Sequence, residues 1–128
     1  MIKNRDYDRT YAPVASWGII KLLLALVLTL GWHTVQIDYV LAFTQAPVER
    51  ELYMQIPKGI EAEGGNPADY CFKVNKNTYG QKQGGRFWNQ FLVKKLEECR
   101  FQQSKVDDCI FYQGKMIYVL YTDESIIP

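Results

Sequence analysis

The hydrophobic positions along the chain fall into runs whose period changes at recognisable punctuation. From Ile19 to Leu30 the sequence is apolar apart from Lys21 and Thr29. A helix of this composition has no polar face, so it is expected to lie sandwiched between other elements. Tyr11-Ala12-Pro13-Val14 gives it an extended lead-in, Ser16 is suited to cap its start, and Gly31 to stop it. The run is about 12 residues, well short of the ~20 that a membrane-spanning helix needs. Asp6, Asp8 and Pro13 precede it, which does not fit a secretory leader. The expectation is a buried helix from about Ser16 to Leu30, with no membrane partner.

Beyond it the pattern shortens. Val35-Gln36-Ile37 predicts a strand ending near Asp38, and Val40 to Phe43 is apolar. Pro47 to Arg50 is expected as a polar turn. Glu51-Leu52-Tyr53-Met54-Gln55-Ile56-Pro57 alternates with period two, a half-exposed strand stopped by Pro57. Glu61 to Ala68, with Gly64-Gly65-Asn66-Pro67, is a loop. Cys71 to Val74 predicts a short strand, and the glycine-rich segment Tyr79 to Gly85 a loop entering a helix over Arg86 to Arg100. In that helix Phe87, Phe91, Leu92, Leu96 and Cys99 recur at three- and four-residue spacing. Asp107-Asp108 opens a strand over Cys109 to Tyr112, Gln113-Gly114-Lys115 closes a hairpin, and Met116 to Tyr121 returns. Ser125 to Ile127 is one further apolar run. Irregular interleaving of this kind predicts an α+β fold, a mainly antiparallel sheet with helices packed on one face. With no repeat and no linker, residues 1–128 are expected to form one domain.

Composition adds little to this; charge distribution adds more. Hydrophobic residues at 48% and charged residues at 23% describe a globular chain rather than a disordered one. The net charge of +1 carries no global sign of nucleic-acid binding. Residues 71–105, however, hold eight basic and two acidic side chains, between acidic blocks at 36–70 and 106–128. A basic segment flanked by acids that suit a metal fits a phosphate-bearing substrate. Cys71, Cys99 and Cys109 have no metal spacing and a single histidine, His33, to accompany them. They are expected to be buried free thiols in a reducing compartment, so the expected location is inside the cell, in the cytoplasm, with the nucleus as the alternative.

The candidate chemistry centres on Tyr121-Thr122-Asp123-Glu124. Two adjacent acids between apolar runs predict a hairpin carrying both carboxylates at its tip, an arrangement that suits a hard cation such as Mg2+. A solvated turn is the plainer reading of the same four residues.

Four blocks in order then carry a resemblance. They are Asp6-Tyr7-Asp8-Arg9-Thr10-Tyr11-Ala12-Pro13-Val14-Ala15; Gln36-Ile37-Asp38-Tyr39-Val40-Leu41-Ala42-Phe43 with Glu51 to Gly59; Tyr79 to Trp88; and Asp107 to Tyr112 with Tyr121 to Glu124. In register, these resemble the reverse transcriptase domain of Ty1/copia-type retrotransposons over nearly the whole chain. The resemblance implies a palm-and-fingers polymerase fold and RNA-directed DNA synthesis from deoxynucleoside triphosphates on an RNA/DNA primer-template. By position, Asp38 and Asp123 are similar to the family's two metal-binding aspartates, with Glu124 as the third acid. Two Mg2+ ions, or Mn2+ in their place, would activate the primer 3′-hydroxyl and stabilise the leaving pyrophosphate. Phe43 resembles the aromatic residue that lies under the incoming sugar and rejects a 2′-hydroxyl. Lys82, Gln83, Arg86 and Tyr121 are similar to residues placed near nucleotide and template.

The departures fall at sensitive positions. Glu124 stands where the family has a second aspartate, and the extra methylene shifts a carboxylate in a geometry that Mg2+ holds tightly. Gln81, Gly84 and Gly85 replace an apolar residue and an Ala-Pro pair, and Leu41 stands where a polar residue is usual. The chain stops at Pro128, so the thumb and the remaining polyprotein segments are expected to be missing, and exposed apolar surface to favour marginal stability and self-association. The expected function is an impaired RNA-directed DNA polymerase, with a non-catalytic retroelement remnant or a nucleic-acid-binding module as alternatives.

Overall fold

The computed structural model describes residues 10–60, 64–121 and 124–127. Its elements in chain order are α1 (Trp17–Leu30), β1 (Val35–Asp38), α2 (Ala42–Gln45), β2 (Pro47–Gln55), a 3-10 turn (Pro67–Asp69), β3 (Cys71–Lys76), α3 (Gly84–Glu98), β4 (Gln102–Gln103), β5 (Ile110–Gln113), β6 (Met116–Tyr121) and β7 (Glu124–Ile127). Five strands make one sheet in the order β1-β7-β6-β5-β4, and β2 pairs with β3 separately. Every pairing is antiparallel. The expected α+β class with antiparallel sheets is observed.

The helices sit on opposite faces of the large sheet, not on one. Alternate residues of β6 point to opposite sides. Tyr118 and Leu120 join Phe111 of β5 in a core with Trp88, Leu92 and Leu96 of α3. Val119 packs with Cys109, Ala15 and Leu23 of α1, and Ile110 and Ile117 pack against that second cluster. A strand covered on both faces has no polar side, so Met116 to Tyr121 is continuously apolar rather than alternating.

The caps of α1 form as expected. The Ser16 hydroxyl accepts from the Ile19 N–H at 3.3 Å. Gly31 takes the left-handed conformation at φ 66°, where the helix ends. The expectation of a sandwiched helix is not met. Leu23 is its only buried residue, while Trp17, Leu22, Leu24, Leu26, Leu28 and Leu30 are exposed. The sheet covers one stripe and nothing described covers the rest.

Other differences concern boundaries. Pro47 to Arg50 is not a turn but the start of β2, whose pairing with β3 is irregular between Pro47 and Leu52. β3 extends two residues past Val74. Gly84 and Gly85 belong to the first turn of α3 rather than to a loop. Cys71 and Cys99 are exposed, and only Cys109 is buried, against the expectation for all three. No helix among the described residues is long and apolar enough to cross a membrane.

Candidate functional site

The site is assembled at one end of the large sheet and at the junction of α2 with α3. Asp38 is the last residue of β1 and is exposed. Its register partner across the β1–β7 ladder is Glu124, the first residue of β7. Glu124 is in turn the partner of Tyr121, the last residue of β6. Asp38, Glu124 and Tyr121 therefore occupy one row across three strands, with roughly 4.5–5.5 Å between successive Cα atoms in such a row. Asp123 and Thr122 lie outside the described residues. The Tyr121 ring lies 6.4 Å from that of Trp17 on α1.

The chain beyond Asp38 is anchored by Tyr39. Its ring meets Trp88 of α3 edge-on at 5.1 Å, and its hydroxyl shares a 2.8 Å hydrogen bond with the Tyr118 hydroxyl. Two polar tips thus satisfy each other within an apolar core. Leu41 then adopts a left-handed φ of 53°, an uncommon conformation for a branched side chain. Its carbonyl accepts from both the N–H and the hydroxyl of Thr44, and Gln45 Nε2 donates to the Val40 carbonyl. These bonds hold the single turn of α2, with Ala42 fully buried beneath it.

Phe43, on α2, is half-buried. Its ring stacks on Tyr79 with centroids 4.7 Å apart and planes 32° apart. A methyl group added to Gly84 would stand 3.6 Å from Phe43 Cδ2. The structure therefore brings Phe43 together with the glycine-rich block. Within that block Lys82 is exposed, Gln83 is buried at 3% exposure, and Arg86 is half-buried on the first turn of α3. Gln83 takes the N-cap position without a side-chain cap, and its carbonyl accepts from the Phe87 N–H at 3.1 Å.

Two residues of this region are not among the site candidates read from the sequence. Asn77 is completely buried and donates its amide to the carbonyls of Ala46 and Pro47, at 3.1 and 3.0 Å. It ties the end of β3 to the end of α2. Tyr79 follows it by two residues in sequence and lies against Phe43 in space. An isolated Asn between strand and loop, and one Tyr before a glycine, look like turn chemistry until the fold pairs them with α2.

A hard divalent cation fits the donor chemistry available here, since Asp38 offers an exposed carboxylate in register with an acidic position on β7. Among the described residues no group of three or more histidines, cysteines and acids forms a ready metal cluster.

Comparison with known proteins agrees with the blocks read from the sequence. The chain is 28% identical over 130 residues to the Retrovirus-related Pol polyprotein from transposon TNT 1-94 of Nicotiana tabacum, covering 98% of this chain and 10% of that protein. It is 32% identical over 127 residues to the corresponding polyprotein from transposon RE1 of Arabidopsis thaliana, covering 95% and 8%. To the Transposon Ty1-BL Gag-Pol polyprotein of Saccharomyces cerevisiae it is 27% identical over 105 residues, covering 81% and 6%. The chain thus spans a tenth or less of the length of these relatives. No solved structure matches it. The family described as Reverse transcriptase (RNA-dependent DNA polymerase) matches residues 1–128, end to end. With Ty1/copia-type polyproteins as its relatives and a single family spanning all four blocks, the chain belongs to the reverse transcriptase family.

Proposed function

We propose that residues 1–128 form one fingers-and-palm unit of an RNA-directed DNA polymerase, extending a primer 3′-hydroxyl with deoxynucleoside triphosphates on an RNA template. The observation that carries this reading is the row Asp38–Glu124–Tyr121, which sets the first acidic position beside the arms of the β6–β7 hairpin. In this reading Asp38, Asp123 and Glu124 hold divalent cations, Mg2+ or Mn2+. Such ions would supply charge neutralisation at the attacking and leaving oxygens. Phe43 lies beneath the sugar and excludes a 2′-hydroxyl. Lys82 and Arg86 meet phosphates, as their basic side chains at the start of α3 suit. Gln83, buried, supports the nucleotide-facing wall, and Tyr121 borders the primer end. The free thiols Cys71, Cys99 and Cys109 suit a reducing interior, the cytoplasm.

Glu124 lowers the activity by displacing a carboxylate, and misplacement of about 1 Å costs on the order of 100-fold. The test is primer extension on an RNA template with Mg2+ or Mn2+. Weak extension is expected, abolished by Asp38→Ala and raised by Glu124→Asp. Absence of extension in both the chain and its Glu124→Asp form, or extension that survives Asp38→Ala, refutes the polymerase reading. Salt-dependent RNA binding without synthesis would leave a binding module instead.

A further inference from the structure

We infer that Tyr79 is a positioning residue for sugar selection, acting through Phe43; the inference rests on the proposed placement of Phe43 beneath the incoming sugar. Steric exclusion of a 2′-hydroxyl works only if the excluding ring cannot move aside. Phe43 stands on α2, a single turn of four residues, and packs in part against the core cluster that includes Ala42 and Trp88. The ring is half-buried. Its ring partner is Tyr79, tilted by 32° with centroids 4.7 Å apart, inside the distance range of favourable aromatic pairs. Near its edge lies Gly84, whose missing methyl would have stood 3.6 Å away. The ring therefore packs against the core cluster around Ala42 and Trp88, with Tyr79 as its ring partner and a position without a side chain near its Cδ2 edge.

The backing is rigid for a reason visible in the backbone. Tyr79 and Gly80 form the corner of a turn closed by the Gln81 N–H to the Thr78 carbonyl at 3.2 Å, with Gly80 at φ 88°. Tyr at the first corner and a positive-φ Gly at the second is type II turn chemistry. Two residues earlier, the Asn77 N–H and side-chain amide reach the carbonyls of Ala46 and Pro47. The turn that carries Tyr79 is thereby fastened to the end of the helix that carries Phe43. Tyr79 is itself 52% exposed, so core filling does not explain its ring. Its contact with Phe43 does.

The experiment is competition between dGTP and GTP for the chain loaded with an RNA template, a DNA primer and Mg2+, with NMR shifts of the Phe43 ring protons recorded alongside. Tyr79→Ala is expected to lower the preference for dGTP by about three- to tenfold, the scale of one aromatic pair, with dGTP affinity altered less than twofold. It also removes the ring-current shift from Phe43. Tyr79→Phe keeps both. Gly84→Ala, whose methyl is accommodated at ordinary contact distances, supports the ring at its Cδ2 edge and restores part of the preference to Tyr79→Ala. If Phe43→Ala abolishes the preference and Tyr79→Ala leaves it intact, the inference is overturned and the reading of Phe43 stands. If Phe43→Ala leaves the preference unchanged, or the unaltered chain has none, the reading of Phe43 falls and takes the inference with it.

Discussion

Replacing Asn77 by aspartate exchanges an amide for a carboxyl group of nearly the same shape at a site with no access to water. The native side chain donates to the carbonyls of Ala46 and Pro47 at 3.1 and 3.0 Å, and its own Oδ1 accepts no hydrogen bond among the described residues. Ala46 retains a second donor, the Asn77 N–H at 3.3 Å. Asn77→Ala therefore removes two neutral hydrogen bonds of about 1 kcal/mol each, one of them to the carbonyl of the exposed Pro47, while relieving the unpartnered Oδ1. The net cost is about 2 kcal/mol. Asn77→Asp behaves differently because its sign depends on pH. Ionised, the carboxylate faces two carbonyl oxygens in a dry site, and a shift of 3 pKa units corresponds to about 4 kcal/mol. Protonated, it regains one donor. The folded-state pKa of the new acid lies above its unfolded value of about 3.9, so its contribution is fully present below that value and is lost as pH rises towards the folded pKa. Urea unfolding followed by tryptophan fluorescence at pH 4 and pH 7 reads this directly. Asn77→Asp should be more stable than Asn77→Ala at pH 4 and less stable at pH 7. A constant difference between the two variants across that range would refute the argument that the Asn77 amide is a donor in a water-free clamp.

Three further outcomes follow from burial. Leu23→Ala should cost about 2–4 kcal/mol, since Leu23 is the buried contact of α1 with the sheet. Leu28→Lys, at a position 84% exposed, should change stability by less than about 0.5 kcal/mol and weaken concentration-dependent association in sedimentation equilibrium; a large loss of stability would show that Leu28 is covered within the monomer. For the thiols, burial first, and the neighbouring Asp107 second, push Cys109 up to about 12. Iodoacetamide at pH 8 should label Cys71 and Cys99 in the folded chain and reach Cys109 only after denaturation, read by peptide mass spectrometry; labelling of Cys109 at a rate similar to the others would contradict the packing of that core.

Much of the layout follows from local chemistry alone. Ser16 and Gly31 delimit α1 because capping and positive φ are properties of single residues. Val35 to Asp38 and the Met116 hairpin are strands because short β-branched and aromatic runs between turn residues have few alternatives. The four motif blocks identify the family because order and spacing survive in the sequence itself. Boundaries were less legible where local signals conflict. Pro47 to Arg50 carries turn-like residues yet extends β2, since Pro47 pairs with Lys76 at the far end of β3. Gly84-Gly85 resembles a loop and enters α3, because the residues that follow them bury Phe87, Trp88 and Leu92.

What the sequence by itself determined, then, is which residues are chemically equipped: an acid at 38, acids at 123 and 124, an aromatic ring at 43, bases at 82 and 86. What only the tertiary structure decided is which of them meet. The opposite-face placement of α1 and α3 depends on how β6 distributes alternate side chains, and a uniformly apolar strand does not reveal that. The row through Asp38, Glu124 and Tyr121 depends on the register of three strands, and a slip of one residue would break it. The pairing of Phe43 with Tyr79 depends on a buried amide closing a gap of about thirty residues. Periodicity and capping are local and can be read along the chain; register and long-range contact are set by the core as a whole.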